Sequence, residues 1–175
     1  MAGKVLTNVN CIILIGFMAA GKSKVGRLLA QSLNWDFVDT DREIEKKTGL
    51  KIADFFQKYG EDKFRQEERL VVEELADVKQ TVIATGGGLV VDPGNWAKLQ
   101  ALGVLIHLYV PLSTALQRAD SSTDRPLLAG ERENLQRLWQ RRQSIYRKAD
   151  LTVDTSQRDV QAVVRTILNY LEGIS

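Results

Sequence analysis

One cysteine and one histidine are the scarcest reactive groups in this 175-residue chain. A single cysteine excludes an internal disulfide and suits a reducing compartment. Cys11 opens an apolar run, where a thiol serves as a small buried hydrophobe. The lone His107 lies inside another apolar segment with no partner marked in the sequence, so it reads as structural rather than catalytic. Charge of one sign is also scarce. The formal net charge is +2, and the arginines stand singly or in pairs among carboxylates. That argues against nucleic acid as a partner, while single arginines remain suited to small anions. The apolar run from Cys11 to Ala20 is too short to cross a bilayer. With Lys4 ahead of it and two alanines at its end it imitates a secretory leader. Cleavage there would remove the first strand and part of the loop described next. The expectation is a cytoplasmic protein without membrane contact and with a short disordered start. No repeat, low-complexity tract or linker divides the chain, and its length suits one compact domain over residues 1–175.

What is present begins at Gly16-Phe17-Met18-Ala19-Ala20-Gly21-Lys22-Ser23, which reads G-x-x-x-x-G-K-S. This phosphate-loop pattern is informative only in context. Before it, Cys11 to Ile15 reads as a buried parallel strand. After it, Lys24 to Leu33 carries Val25, Leu28, Leu29 and Leu33 at helical spacing. Strand, glycine loop and helix is the order that phosphate binding requires. Backbone N–H groups converge at a helix N-terminus, whose partial positive charge favours an anion. Gly16 and Gly21 allow backbone conformations that a Cβ disfavours. Lys22 can reach the β- and γ-phosphates, and the Ser23 hydroxyl can meet Mg²⁺. Lys24 stands where many such loops place a second hydroxyl residue.

The rest of the chain alternates strand and helix. Trp35 to Val38 reads as a second strand ending at Asp39-Thr40-Asp41, on the ligand side of an open parallel sheet. A helix over Asp41–Lys47 takes Asp41 as its N-cap. A short helix over Ile52–Tyr59 closes at Gly60. A longer one runs from Asp62 to about Ala76, with Phe64, Leu70, Val71 and Leu75 inward. Arg65 and Glu68 are neighbours on that helix, and spacing alone reads them as a solvent-exposed pair worth about 0.2–0.5 kcal/mol. The third strand, Thr81–Ala84, leads into Gly86-Gly87-Gly88, which permits a ligand close to the backbone. A helix from Pro93 to Leu102, a strand from Val104 to Val110 and a helix from Leu112 to Arg118 follow. The polar stretch at about 119–131 lacks periodicity, contains Arg125-Pro126 and reads as a lid. A helix over Glu131–Lys148, a fifth strand at Leu151–Val153 and a helix over Val160–Leu171 complete the chain. The alternation predicts an α/β fold, a parallel sheet with helices on both faces.

About 150 residues follow the loop, on the scale of one domain. That points to a kinase for a small metabolite rather than a motor or a switch. Transfer to a hydroxyl needs positioning, a cation clamp and an acceptor for the proton. Asp39 and Asp41 supply two carboxylates for two roles: holding the waters of Mg²⁺ and taking the proton. Arg65 and an arginine of the later helix can hold an anionic acceptor.

The phosphate loop, Asp39-Thr40-Asp41, Phe64-Arg65-x-x-Glu68, Gly86-Gly87-Gly88 and Arg125-Pro126-Leu127-Leu128 occur in that order and together resemble the shikimate kinase family. The resemblance spans nearly the whole chain. It implies a three-layer P-loop fold of the nucleoside monophosphate kinase type, with sheet order 2-3-1-4-5. It implies ATP-dependent phosphorylation of the shikimate 3-hydroxyl on the way to chorismate and the aromatic amino acids, with Mg²⁺ as cofactor; separately, a monomer is expected. Carried over by position, Gly16, Ala19, Ala20, Gly21, Lys22, Ser23 and Lys24 would hold the ATP phosphates. Ser23, and Asp39 through water, would hold the metal. Asp41 would bind the acceptor hydroxyls and act as base. Arg65, fixed by Glu68, and Arg142, with Arg141 the alternative, would clamp the shikimate carboxylate. Gly86, Gly87 and Gly88 would offer backbone N–H groups to the substrate. Arg125 would meet the transferring phosphate, Arg118 would lie over adenine and Arg158 near it. Ala20, often glycine or serine in the family, and Lys24, often threonine, depart from its pattern. A gluconate kinase-like enzyme would share the loop and lid without needing a carboxylate clamp. A non-catalytic interaction module would be expected to have lost Lys22, Asp41 or Arg125, and all three are present.

Overall fold

The computed structural model describes residues 9–120 and 129–174. Five strands form one parallel sheet: β1 (Cys11–Ile15), β2 (Asp36–Asp39), β3 (Thr81–Ala84), β4 (Val104–Tyr109) and β5 (Leu151–Asp154). Their order is β2-β3-β1-β4-β5, as the resemblance implied. The phosphate-loop strand is therefore central, with Ile13 paired to Ile83 on one side and to Leu105 on the other. All five residues of β1 are buried, which is why its sequence is a continuous apolar run rather than an alternation.

Helices cover both faces. On one side, α1 (Lys22–Leu33) packs against α7 (Val160–Ile174). On the other lie α3 (Ile52–Glu74), a 3₁₀ turn (Leu89–Val91), α4 (Pro93–Leu102) and α6 (Ala129–Tyr146). Two more helices, α2 (Thr40–Thr48) and α5 (Leu112–Asp120), follow directly on β2 and β4. The α3 run departs from helical geometry at Gly60 (φ 78°, ψ 177°), where the sequence places the end of one helix and the approach of the next. The lid expected at about 119–131 lies mostly outside the described residues, and Arg125 with it, as does the start of the chain.

Three local expectations need correction. The cap of α2 is Asp39 rather than Asp41: its carboxylate accepts from the Arg42 N–H, and Asp41 sits within the first turn. Leu70 is 48% exposed. The inward side of this part of α3 is Phe64, Glu68, Val71 and Val72, with Leu75 buried at its C-cap, and at 3.6 residues per turn Leu70 falls off it. The third correction is Glu68 itself. It is 1% exposed, so the Arg65–Glu68 pair is no surface pair.

Candidate active site

The strand ends meet at a cleft of about 1110 Å³ that opens over β1, β2 and β3. The phosphate loop forms its floor. Gly16 has φ 146° and Gly21 φ 87°, the positive region that favours glycine, and a methyl at Gly16 would lie 2.5 Å from the Leu108 carbonyl oxygen. Ala19 also adopts positive φ, 57°, without glycine's freedom. The Lys22 ammonium donates to the Gly16 and Phe17 carbonyls, both at 2.8 Å, so the lysine is folded back over its own loop. Burial pulls its pKa down to about 8, against the opposing pull of Asp41 and Asp39.

The carboxylates come from the end of β2 and the start of α2. Ser23 Oγ donates to Asp39 Oδ2 at 2.6 Å. A hydroxyl and a carboxylate joined in this way beside a phosphate loop are hard oxygen donors. They suit Mg²⁺, which takes one or two protein oxygens and completes its shell with phosphate and water. Among the described residues no cluster of three or more histidine, cysteine or carboxylate ligands exists. The Asp41 carboxyl is pushed up by burial and by the neighbouring Asp39, while Lys22 opposes the shift.

Beyond Asp41 stand the two arginines. Arg65 Nη1 donates to Glu68 Oε2 at 2.6 Å, and its Nη2 to Glu61 Oε1 at 2.9 Å. Burial raises the Glu68 carboxyl and Arg65 lowers it, while its Oε1 has no partner among the described residues. Arg142, from α6, lies over the Phe17 ring with its guanidinium carbon 6.0 Å from the centroid. Both arginines converge on the glycine triplet. A methyl at Gly88 would lie 2.6 Å from Arg65 Nη1 and 3.0 Å from Arg142 Nη2; one at Gly86 would lie 2.6 Å from Asp41 Oδ1. Three glycines stand there because three charged side chains press on them. Gly86 N–H donates to Thr40 Oγ1 at 2.9 Å, so of the three expected N–H donors only Gly87 and Gly88 remain for a ligand. Arg142 lines this cleft, whereas Arg141 is exposed and lies outside it.

A family model described as shikimate kinase matches residues 18–172. The chain belongs to the shikimate kinase family. A shikimate kinase from Persephonella marina is 41% identical over 160 residues, covering 91% of this chain and 98% of the relative. The structure of a shikimate kinase from Acinetobacter baumannii in complex with shikimate superposes with a TM-score of 0.88 at 37% identity, covering 96% of each chain. A gluconokinase from Sinorhizobium meliloti reaches a TM-score of 0.57 at 17% identity, which speaks for a common fold alone.

At the far end of this shikimate kinase cleft, Arg118 and Arg158 line the wall beside Thr155. Arg118 donates to the Ala19 carbonyl at 3.0 Å, and Arg158 to Thr166 Oγ1 at 3.0 Å. Lys24 and Ala20 also border the cleft. The sequence reading missed Thr40, Tyr146 and Thr155. Thr40 lay inside a quoted motif, and only the contact with Gly86 gives it work. Tyr146 is four residues after Arg142, one helical turn on the same face, and its hydroxyl donates to the Gly87 carbonyl at 2.5 Å. Thr155 directly follows β5, where ligands of parallel sheets collect.

Proposed function

We propose that this chain transfers the γ-phosphoryl group of ATP to the 3-hydroxyl of shikimate, giving shikimate 3-phosphate and ADP. The observation that carries the reading is the convergence of Arg65 and Arg142 on Gly88, beside Asp41 and the phosphate loop. A paired-arginine clamp suits a carboxylate-bearing acceptor, because two planar donor forks match its geometry.

Each residue then has a task. Gly16 to Lys24 cradle the phosphates, with Lys22 swinging from its carbonyl partners to the β- and γ-phosphates. Ser23, and Asp39 through water, would hold Mg²⁺, which would neutralise charge on the phosphates. Asp41 accepts the acceptor's proton as the new O–P bond forms and the bond from the γ-phosphorus to ADP breaks. Its raised pKa brings proton affinity nearer to working pH. Glu68 fixes Arg65, and Gly87 and Gly88 offer N–H groups to the substrate. Arg118 and Arg158 flank adenine. On the sequence grounds given above, Arg125 closes from a lid over the transferring phosphate, where an added cation stabilises spread charge. The reading places the enzyme in the cytoplasm, where ATP and reduced cysteine coexist, and takes it to act as a monomer.

The test is a coupled ADP-release assay over shikimate, quinate, gluconate and nucleoside monophosphates, with Asp41→Asn beside the wild type. Shikimate should be the preferred acceptor, and Asp41→Asn should lose on the order of 10²–10⁴ in kcat. Preference for gluconate would sink the clamp. Absence of turnover on every acceptor would favour a non-catalytic module.

A further inference from the structure

The phosphate loop is gripped from outside by the chain that follows β5. Thr155 is 4% exposed, and its hydroxyl lies 3.3 Å from the Ala20 carbonyl and 3.1 Å from that of Tyr109. The Tyr109 carbonyl also receives the Thr155 N–H at 2.9 Å, so the backbone of Thr155 is held to β4 while its hydroxyl reaches the loop at Ala20. Beside it, Arg118 donates to the Ala19 carbonyl and, at 2.8 Å, to the Thr155 carbonyl. Two successive loop carbonyls, Ala19 and Ala20, are thus tied to one short segment. At Ala19 the backbone holds a conformation rare for a residue with a Cβ (φ 57°), closed by the Ala20 N–H on the Phe17 carbonyl at 3.3 Å. Such a conformation persists where its surroundings over-determine it.

A trans peptide points its carbonyl and the following N–H in opposite directions. Turning the Ala20 carbonyl onto Thr155 therefore turns the Gly21 N–H the other way, at the N-terminus of α1 where an anion is favoured. We infer that Thr155 is a positioning residue for phosphate binding: its hydroxyl fixes the Ala20–Gly21 peptide so that the loop meets the nucleotide already shaped. The same segment carries Arg158 three residues on, so the base end and the phosphate end of the cleft are braced by one piece of chain. The inference rests on the nucleotide-binding reading above.

The experiment separates phosphate from base. Inorganic tripolyphosphate, which has no base, is titrated as a competitor of ATP with the wild type, Thr155→Val, Thr155→Ala and Thr155→Ser; ADP is titrated alongside. Loss of one hydrogen bond should weaken both ligands by about three- to tenfold in the valine and alanine variants. Serine should restore wild-type values, and the shikimate KM should stay put in all variants. Weaker ADP with unchanged tripolyphosphate would place Thr155 on the base side and overturn the inference. So would a serine variant behaving like valine, or no change in either ligand. If valine fails to fold, alanine, which relieves crowding while losing the same hydroxyl, carries the comparison. Tripolyphosphate that does not compete in the wild type would overturn the phosphate-loop reading itself, and the inference with it.

Discussion

Lys22 carries its charge at a cost set by burial. Its pKa falls from 10.5 to about 8 because the ammonium leaves water, with Asp41 and Asp39 opposing the shift and Arg142 adding to it. Between those two values the unfolded chain binds more protons than the folded one, so this residue makes stability rise with pH across that window. The stability difference between the wild type and Lys22→Met should move in favour of the wild type from pH 8 to 10, measured by denaturant titration at each pH. A difference that stays flat would mean the ammonium is solvated. His107 behaves in the same sense for the same cause: burial lowers it to about 4, so it is neutral at working pH, its ring tilted at 38° to that of Tyr146 with centroids 5.1 Å apart. The sequence read it as structural from the lack of a visible partner. The geometry adds the reason, an imidazole at 1% exposure whose Nε2 finds no partner among the described residues.

Helix ends were harder to read than helix interiors. Asp39 and Asp41 both stand where a cap is wanted, and only the extended backbone of Asp39 (φ −115°, ψ 114°) selects it. The cap of α4 is less ambiguous, since Pro93 at its first position fixes where it starts. Asp92 accepts from the Gly94 and Asn95 N–H groups at 2.8 and 3.1 Å. Its carboxyl is held below the usual range, first by Arg69 and then by those N–H bonds, with burial opposing. A depressed carboxylate contributes stability above its unfolded pKa and loses it as pH falls through the folded one. Asp92→Ala should therefore cost about 0.5–2 kcal/mol at neutral pH, mostly from the lost cap, and much less in acid where the wild-type carboxyl is protonated. Thermal melts of both proteins in a pH series from 7 down through the acid transition of the folded carboxyl check this, and a gap that stays the same size throughout would assign the loss to packing.

At the scale of the molecule, the cleft has two ends built by different parts of the chain: Arg118 and Arg158 at one, Arg65, Glu68 and Arg142 at the other. Arg65→Ala should raise the shikimate KM strongly, since charge-assisted bonds contribute about 1.5–3 kcal/mol each. The ATP KM should change far less. Equal changes in both constants, measured by steady-state kinetics with each substrate varied in turn, would assign Arg65 a structural role. What the sequence determined by itself was local. A short β-branched apolar run ahead of a glycine loop fits a buried strand, glycine is favoured where φ is positive, and the alternation of strands and helices argues for a parallel sheet. Those facts put Gly16 to Ser23 and Asp39 to Asp41 at the strand ends before any coordinates. The tertiary structure decided what depends on residues far apart in the chain. Glu68 looked solvent-exposed because an i, i+3 spacing carries no burial, and it became a buried partner only when α3 packed over Gly86. Arg142 was separated from Arg141 by which face of α6 meets Phe17. Thr155 met Ala20 across 135 residues, a contact set by the sheet order that lays β4 beside β1 and β5 beside β4.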